Sequence, residues 1–262
     1  PWGKGRPGWH IECSAMSDET LGSHFDIHCG GVDNLFPHHE NEIAQSTNYS
    51  NKKFVNYWLH SEFLLIDGEK MSKSNKNFFT IKELKSENFT PESLRYQLLQ
   101  GHYRSKISFS KSKKYESDKI VNRISEFHQL LKSVGGDTFS NNTLPVEYSE
   151  FKSAMNDDLN SPKALAIFFT WMKKCTKMIK EKTIEDNQII SAVNFFNVFN
   201  KIFDFHNDRT SYMSPELKDL IRLRKVAREQ KNWAIADSIR KEIYKSGWVV
   251  EDTKEGQKLR EK

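Results

Sequence analysis

Two short segments carry residues whose types and spacing could do chemistry. The first is the run Lys70-Met71-Ser72-Lys73-Ser74, which follows an apolar stretch and an Asp67-Gly68 turn signal. Two ammonium groups at this spacing can neutralise the charge that builds on a triphosphate during displacement at phosphorus, and the two hydroxyls add donors. A generic charged surface loop is the alternative. The complete run after a strand and a turn favours a function in phosphate chemistry.

The second segment could hold a metal ion. His38 and Glu42 are four residues apart, so on a helix they share one face and can reach one ion. Cys13 would add a thiolate if its loop lies close, and this donor set suits zinc better than calcium or magnesium. A surface pair and a core cysteine are the alternative. A metalloprotease motif is excluded, because Ile43 stands where the pair His39-Glu40 requires a second histidine.

Strands and a helix must position these residues. Residues 25–28 predict a buried strand that ends in a tight glycine turn at residues 29–31. Residues 57–60 and 63–66 predict another strand pair or one bent strand, and Pro37 predicts a helix start. Strands that alternate with helices indicate a parallel α/β sheet. His10 and His28 have no spacing that favours metal ligation, so we interpret them as polar residues at strand or loop ends.

The rest of the chain predicts helices. Apolar residues recur at helical spacing within residues 120–134, 164–172 and 189–203, which indicates a packed bundle. Ser214-Pro215 predicts a further helix start, followed by a second helix to Lys245 and a short strand from Trp248. The predicted fold class is therefore α/β, with a partial nucleotide-binding parallel sheet, followed by an α-helical bundle and a small, mainly helical C-terminal domain.

Composition narrows the class of protein. A chain of 262 residues with 37% hydrophobic and 29% charged residues favours a soluble protein with two or three domains. No run approaches the roughly 18 apolar residues that span a bilayer. The three cysteines are widely separated, which argues against a disulfide framework and favours a reducing cytoplasm. Residues 214–262 hold 13 Lys/Arg against 9 Asp/Glu, which suggests a polyanionic partner or, alternatively, a solvated helical face.

Further segments with distinctive sequences accompany the two motifs. They are RPGWHIECS at residues 6–14, FPHHENE at residues 36–42, LRY at residues 94–96, GHYRS at residues 101–105 and NDDLNSP at residues 156–162. The run from Lys70 to Ser74 has the form of the Lys-Met-Ser-Lys-Ser motif of class I aminoacyl-tRNA synthetases. Together these segments resemble the cysteinyl-tRNA synthetase family over almost the whole chain.

The resemblance implies a role for each matching residue. Cys13, His38 and Glu42 match three ligands of one zinc ion per chain. That ion would bind the thiolate of substrate cysteine, and a serine hydroxyl would bind it poorly. Trp9 matches an aromatic residue beside the bound cysteine, and Gly30, Gly31 and Asp33 match the segment at the adenosine of ATP. Lys73 matches a lysine that binds ATP, and Lys73 and Lys70 match the lysines that stabilise the transition state.

The resemblance implies a two-step ligase reaction. The cysteine carboxylate would attack the α-phosphorus of ATP, with Mg²⁺, and a terminal hydroxyl of tRNA(Cys) would then take the cysteinyl group. The implied partners are tRNA(Cys), cysteine and ATP, with no membrane, and we expect a cytoplasmic monomer. The implied domains are the second half of the catalytic α/β domain at residues 1–77, a stem-contact region at 78–112, a helical bundle at 113–206 and an anticodon-binding module at 213–262.

The C-terminal module offers candidate contacts to nucleic acid. Trp233 or Trp248 could stack on an unpaired base, although burial in the core is the alternative for each. The candidate phosphate contacts are Arg222, Arg224, Lys225, Arg228 and Lys231.

The sequence departs from the family in three places. The His-Ile-Gly-His-type motif that holds ATP is not found, nor is the cysteine that would be the fourth zinc ligand, for which Cys29 is a possible substitute. Asn75-Lys76 stands where the family often has Leu-Gly. Because the sequence begins Pro1-Trp2-Gly3 without Met, we interpret it as part of a longer chain and expect it not to form cysteinyl adenylate alone. The alternatives are a ligase that joins activated cysteine to an amino-sugar and a non-catalytic, synthetase-derived RNA-binding protein.

Overall fold

A computed structural model describes residues 3–72, 77–135, 143–207, 215–253 and 256–261 of the chain. The chain divides into two compact units, Pro1–His206 and Asn207–Lys262. The predicted fold class is confirmed: a small parallel sheet, a helical bundle and a mainly helical C-terminal unit follow one another. The finer domain boundaries near residues 77, 112 and 213 stay predictions. Within the described ranges, no helix is long and apolar enough to cross a bilayer.

The first sheet contains the parallel strands β1 (Phe25–Gly31) and β2 (Val55–Ser61), preceded by helix α1 (His10–Leu21) and connected through α2 (Glu40–Ser50). The predicted glycine turn at residues 29–31 is wrong, because β1 continues through Gly31 and a 3₁₀ turn follows at Val32–Asn34. The predicted burial of β1 is also wrong, since Ile27 is 57% exposed. A Cβ on residue 30 would lie 2.5 Å from the His39 ring, so close packing there requires a glycine.

A second sheet contains Lys70, the first residue of the lysine motif. Strand β3 (Leu64–Ile66) pairs antiparallel with β4 (Glu69–Lys70) and parallel with β5 (Ile107–Phe109). The predicted pairing of residues 57–60 with 63–66 is therefore wrong, because these segments belong to different sheets. The predicted Asp67-Gly68 turn is confirmed, with both residues at positive φ. Strand β5 was not predicted, because three residues are too few to show the two-residue alternation of a strand.

Two helices pack against the second sheet, and four others form the bundle. Helices α3 (Ile81–Ser86) and α4 (Pro91–Leu99) begin at Thr80 and Thr90, whose hydroxyls accept from backbone N–H groups of the first turn. The bundle consists of α5 (Lys114–Gly135), α6 (Glu147–Asn156), α7 (Ser161–Lys180) and α8 (Asp186–Phe203). The three predicted apolar stripes supply its core, in which the rings of Phe168 and Phe199 stack with centroids 3.4 Å apart.

Two helices and a hairpin make up the described residues of the second unit. Helices α9 (Pro215–Glu229) and α10 (Trp233–Lys245) pack with the antiparallel strands β6 (Trp248–Thr253) and β7 (Gly256–Glu261). Their shared core is formed by Leu217, Ile239, Ile243 and Val250. The helix starts at Pro215 and Trp233 and the strand from Trp248 agree with the sequence prediction, and Gly247 reverses the chain at a φ of +88°.

Candidate functional site

The three predicted metal ligands come together in the first unit. Cys13 lies on α1, Glu42 lies in the first turn of α2, and His38 lies just before that helix. Their ligand atoms all lie within 4.8 Å of one another. The predicted helix start at Pro37 is confirmed, because the backbone is extended at Phe36 and helical from Pro37 into α2. His38 and Glu42 still meet, with Nε2 and Oε1 2.6 Å apart.

The chemistry of these groups fits a bound cation. Glu42 is fully buried, and its Oε1 has no hydrogen-bond partner in the described part of the chain. That oxygen approaches His38 Nε2 closely but without hydrogen-bond geometry, so both atoms can face one ion. Burial raises the pKa of the Cys13 thiol, and the carboxylates of Glu42 and Glu12 raise it further. A thiolate, an imidazole and a carboxylate form a donor set that suits zinc.

Two further histidines hold the predicted ligands in place. His28 Nε2 lies 2.7 Å from Glu42 Oε2, and His10 Nδ1 lies 2.7 Å from His38 Nδ1. The His10 contact engages one ring nitrogen of His38 and leaves Nε2 to face Glu42. Our interpretation of His10 and His28 as polar residues at strand or loop ends therefore missed their contacts with the ligand set. The available signal was strand alternation, which places His28 on the same face of β1 as Gly30.

A second layer of aromatic and imidazole rings lies behind the ligands. His39 Nδ1 and His60 Nε2 are 2.7 Å apart, and the rings of His28 and Trp58 stack with centroids 4.6 Å apart. The pKa of His39 is lowered to about 4, mainly by burial and secondarily by His28, His60 and His38. His39 is therefore neutral at neutral pH. Its buried ring fixes the separation between β1 and the turn that carries His38.

Trp9 covers the imidazole of His38. The two rings stack with centroids 3.6 Å apart and planes 8° apart. Trp9 remains 51% exposed, so one part of the indole packs on the ligand set and the other faces solvent. A small amino acid that reached the metal ligands from solvent would contact this indole.

The residues predicted to bind adenosine lie at the carboxyl end of β1. Gly30 and Gly31 end the strand, and Asp33 follows in the 3₁₀ turn with its side chain exposed. Nucleotides bind at the carboxyl ends of strands in open α/β sheets, so this position is compatible with the prediction. The side chains of Cys29 and His28 lie on opposite faces of β1, and Cys29 lines a mainly apolar cavity of about 440 Å³. Cys29 is therefore not a fourth ligand beside Cys13, His38 and Glu42.

Only one of the two predicted catalytic lysines lies within the described residues. Lys70 ends β4, and its Nζ lies 5.1 Å from the centre of the Phe63 ring. Lys73 lies outside the described residues, so its role stays a prediction.

The second unit corrects one predicted nucleic-acid contact. Arg224 is only 1% exposed, because its guanidinium donates to both carboxylate oxygens of Asp252 and to Gln257. It therefore fixes the hairpin to α9 and is not available to a phosphate. Trp233 is 55% exposed with the Arg228 guanidinium 5.4 Å from its ring centre, whereas Trp248 packs against the core.

Comparisons with known proteins agree with this arrangement. Family models match residues 1–119 as the tRNA synthetases class I (C) catalytic domain, residues 150–204 as the DALR domain and residues 210–260 as the cysteinyl-tRNA ligase anticodon binding domain. LeuRS in a solved LeuRS–tRNA–LeuAMS complex from Agrobacterium radiobacter K84 has a similar fold, with a TM-score of 0.53 and 13% identity. That match covers 68% of this chain and 25% of LeuRS. The catalytic-domain match places residues 1–119 among the class I aminoacyl-tRNA synthetases, and the LeuRS match shows a similar fold.

Similar sequences identify the family within that class. A cysteine–tRNA ligase of Brachyspira hyodysenteriae is 42% identical, over 100% of this chain and 57% of the relative. One of Chlamydia felis is 41% identical, over 99% of this chain and 56% of the relative. The chain belongs to the cysteinyl-tRNA synthetase family, which confirms the resemblance drawn from the sequence. It spans a little over half the length of these curated relatives.

Proposed function

We propose that this chain carries part of the active site of a cysteine–tRNA ligase. The observation that carries the proposal is the convergence of the ligand atoms of Cys13, His38 and Glu42. One of these atoms, the buried Oε1 of Glu42, has no hydrogen-bond partner in the described part of the chain. A zinc ion bound there would supply a thiophilic centre that prefers the sulfur of cysteine to the oxygen of serine. A site of this kind discriminates by chemistry, so it has little need of a separate editing step.

The chain's own residues would orient and enclose the substrate. His10 holds the ring of His38, and His28 holds the carboxylate of Glu42, so both ligands keep a fixed geometry. Trp9 would cover the amino acid on the solvent side. Gly30, the neighbouring Gly31 and Asp33 would lie against the adenosine of ATP.

Activation of cysteine would then proceed without a protein nucleophile. The cysteine carboxylate attacks the α-phosphorus, a bond to phosphorus forms, and pyrophosphate leaves with its electron pair. Lys70, and Lys73 by its place in the motif, would stabilise the negative charge on the phosphates, with Mg²⁺ bound to the nucleotide. A terminal hydroxyl of tRNA(Cys) would next attack the carbonyl of the adenylate and release AMP.

The C-terminal unit would bind the anticodon part of tRNA(Cys). Trp233 is an exposed aromatic surface beside the cation of Arg228, which suits stacking on an unpaired base next to a phosphate. We further propose a monomer in the cytoplasm. The amino-sugar ligase would have no use for this unit, and the match to an anticodon binding domain favours tRNA as the acceptor. The comparisons give no support to a non-catalytic binding protein.

Cysteine-dependent exchange of pyrophosphate with ATP tests the proposal, in the protein as its gene encodes it. We expect exchange with cysteine and at least about 100-fold less with serine, since a hydroxyl is a poor zinc ligand. Glu42→Gln should lose both zinc and exchange, because a neutral amide replaces the buried carboxylate. Glu40→Gln is the matched control, because the same change is made on an exposed residue of the same helix.

Two results would contradict the proposal. One is equal exchange with serine and cysteine, which would remove the basis for discrimination. The other is full activity of a Glu42→Gln protein that contains no zinc, which would exclude the ligand set as the site of cysteine binding.

A further inference from the structure

Asn77 bonds to the backbone of two residues in the first half of the lysine motif. Its side-chain Nδ2 donates to the backbone carbonyl oxygen of Lys70 at 3.1 Å, and its Oδ1 accepts from the backbone N–H of Ser72 at 2.8 Å. Asn77 stands after residues 73–76 in the sequence, whereas both of its partners stand before them. One side chain therefore joins the backbone on the two sides of that segment.

Apolar contacts anchor the chain before and after residues 73–76. Met71 and Phe79 pack against one hydrophobic cluster, whose buried members are Ile66, Leu84, Phe89, Leu94 and Phe109. The Nζ of Lys111 lies 3.8 Å from the centre of the Phe79 ring. These contacts hold the chain entering and leaving the motif near each other. Asn77 instead binds backbone polar groups, the carbonyl of Lys70 and the N–H of Ser72.

The chemistry of the two contacts requires an amide side chain. Asparagine presents one donor and one acceptor in a single rigid plane, and here each meets its complement on the backbone. Rotating the amide by half a turn would set its NH₂ against the N–H of Ser72 and its oxygen against the carbonyl of Lys70. An aspartate could keep the bond from Ser72 but has no donor for Lys70, and an alanine has neither.

We propose that Asn77 is a positioning residue that sets where the Lys70 ammonium lies when the adenylate forms; this inference rests on the proposed function. Lys70 is held by its ladder pairing with Leu65 on one side and by Asn77 on the other. Charge stabilisation depends steeply on position, and a displacement of about 1 Å can cost about 100-fold in rate. In the described part of the chain, the hydrogen bonds of Asn77 go to Lys70 and Ser72 and not to a predicted zinc ligand, so its loss should leave cysteine binding intact.

Two variants separate the contacts in the pyrophosphate-exchange assay. In Asn77→Asp, which loses the bond to Lys70 and retains the bond from Ser72, we expect kcat to fall about tenfold. In Asn77→Ala, which loses both, we expect a fall of about 100-fold. The KM for cysteine should change by less than about twofold in each. Asn187→Ala, at an exposed position of α8, is the matched control and should retain kcat.

Amide hydrogen exchange gives a readout that does not depend on activity. The Ser72 amide should exchange faster in Asn77→Ala than in wild type and should stay protected in Asn77→Asp, since only the aspartate keeps an acceptor. A general loss of structure would instead speed exchange across the second sheet in both variants. That outcome would overturn a specific role in positioning.

The assay also distinguishes this inference from the proposed function. A wild-type protein without cysteine-dependent exchange would refute the proposed function, and the inference with it. An active wild type with an unchanged kcat in Asn77→Asp would refute only the positioning of Lys70 by Asn77. An equal fall in kcat and rise in KM would also overturn it, because that pattern indicates damage to substrate binding.

Discussion

Adjacent glycines at the end of β1 allow a sharp test of how the site is packed. A Cβ at residue 30 would lie 2.5 Å from Cε1 of His39, and a Cβ at residue 31 would come equally close to a carboxylate oxygen of Asp33. Neither glycine has a positive φ, so alanine is compatible with the backbone at both positions. The two substitutions therefore differ only in what the new methyl group must displace. We expect Gly30→Ala to be destabilising and Gly31→Ala to be nearly neutral.

The magnitude follows from the mobility of each neighbour. His39 is buried, so its ring must shift by about 1 Å within a packed layer, which costs about 1–3 kcal/mol. That shift breaks the contact with His60, which costs about 1 kcal/mol more. Alanine restricts the unfolded chain and returns up to about 1 kcal/mol. The net loss for Gly30→Ala is about 2 kcal/mol. In Gly31→Ala the exposed Asp33 must rotate into solvent, which costs about 0.5–1 kcal/mol, so the same return from alanine leaves this variant within about 0.5 kcal/mol of wild type.

Calorimetry of the whole chain measures this difference. A loss of about 2 kcal/mol should lower the Tm of the larger unit by about 4–8 °C, and Gly31→Ala should leave it within about 2 °C of wild type. Equal shifts in the two variants would refute the reasoning, because they would mean that the buried His39 ring is not what requires a glycine at position 30. A Gly30→Ala protein as stable as wild type would refute it equally.

Three further perturbations test charges and thiols. Cys13→Ala should lose the bound zinc that metal analysis detects in wild type, whereas Cys29→Ala should retain it; equal zinc in both would refute the ligand set. Asp252→Asn should lower the free energy of unfolding by about 3 kcal/mol, because it leaves the buried Arg224 without its carboxylate partner. Arg224→Met should lower that free energy by less, because it removes the buried charge itself. The hydrogen bond from Arg224 lowers the pKa of Asp252 below its ordinary 3.8, so in wild type this stabilisation is present above that pH and disappears as the pH falls through the lowered value. Urea unfolding at pH 7 and at a pH below the lowered pKa checks both the cost and its loss. Burial raises the pKa of Cys175 to about 11, so alkylation at pH 8 should modify the exposed Cys29 and should reach Cys175 only after unfolding. Mass spectrometry measures the two alkylation rates, and equal rates would contradict the described burial.

Local patterns in the sequence were sufficient for much of the fold. The three apolar stripes, the Asp67-Gly68 turn and the helix start at Pro215 all depend on residues within a few positions of each other, and the structure contains each of them. The spacing of His38 and Glu42 likewise predicted their contact, because both lie on the helical backbone that begins after Phe36. Strand β5 and the separation of β2 from β3 could not be read in this way, because strand pairing joins residues that are distant in the sequence.

The sequence by itself determined the family and the types of group available for chemistry: a thiol, an imidazole, a carboxylate and two lysines in recognisable motifs. Only the tertiary structure decided which partners those groups have. It placed His10 and His28 against the ligands, Asn77 across the lysine motif, and Arg224 inside the C-terminal unit beside Asp252. The physical reason is that residue type and spacing specify what a side chain can do, whereas burial and neighbours depend on where segments far apart in the chain come to lie.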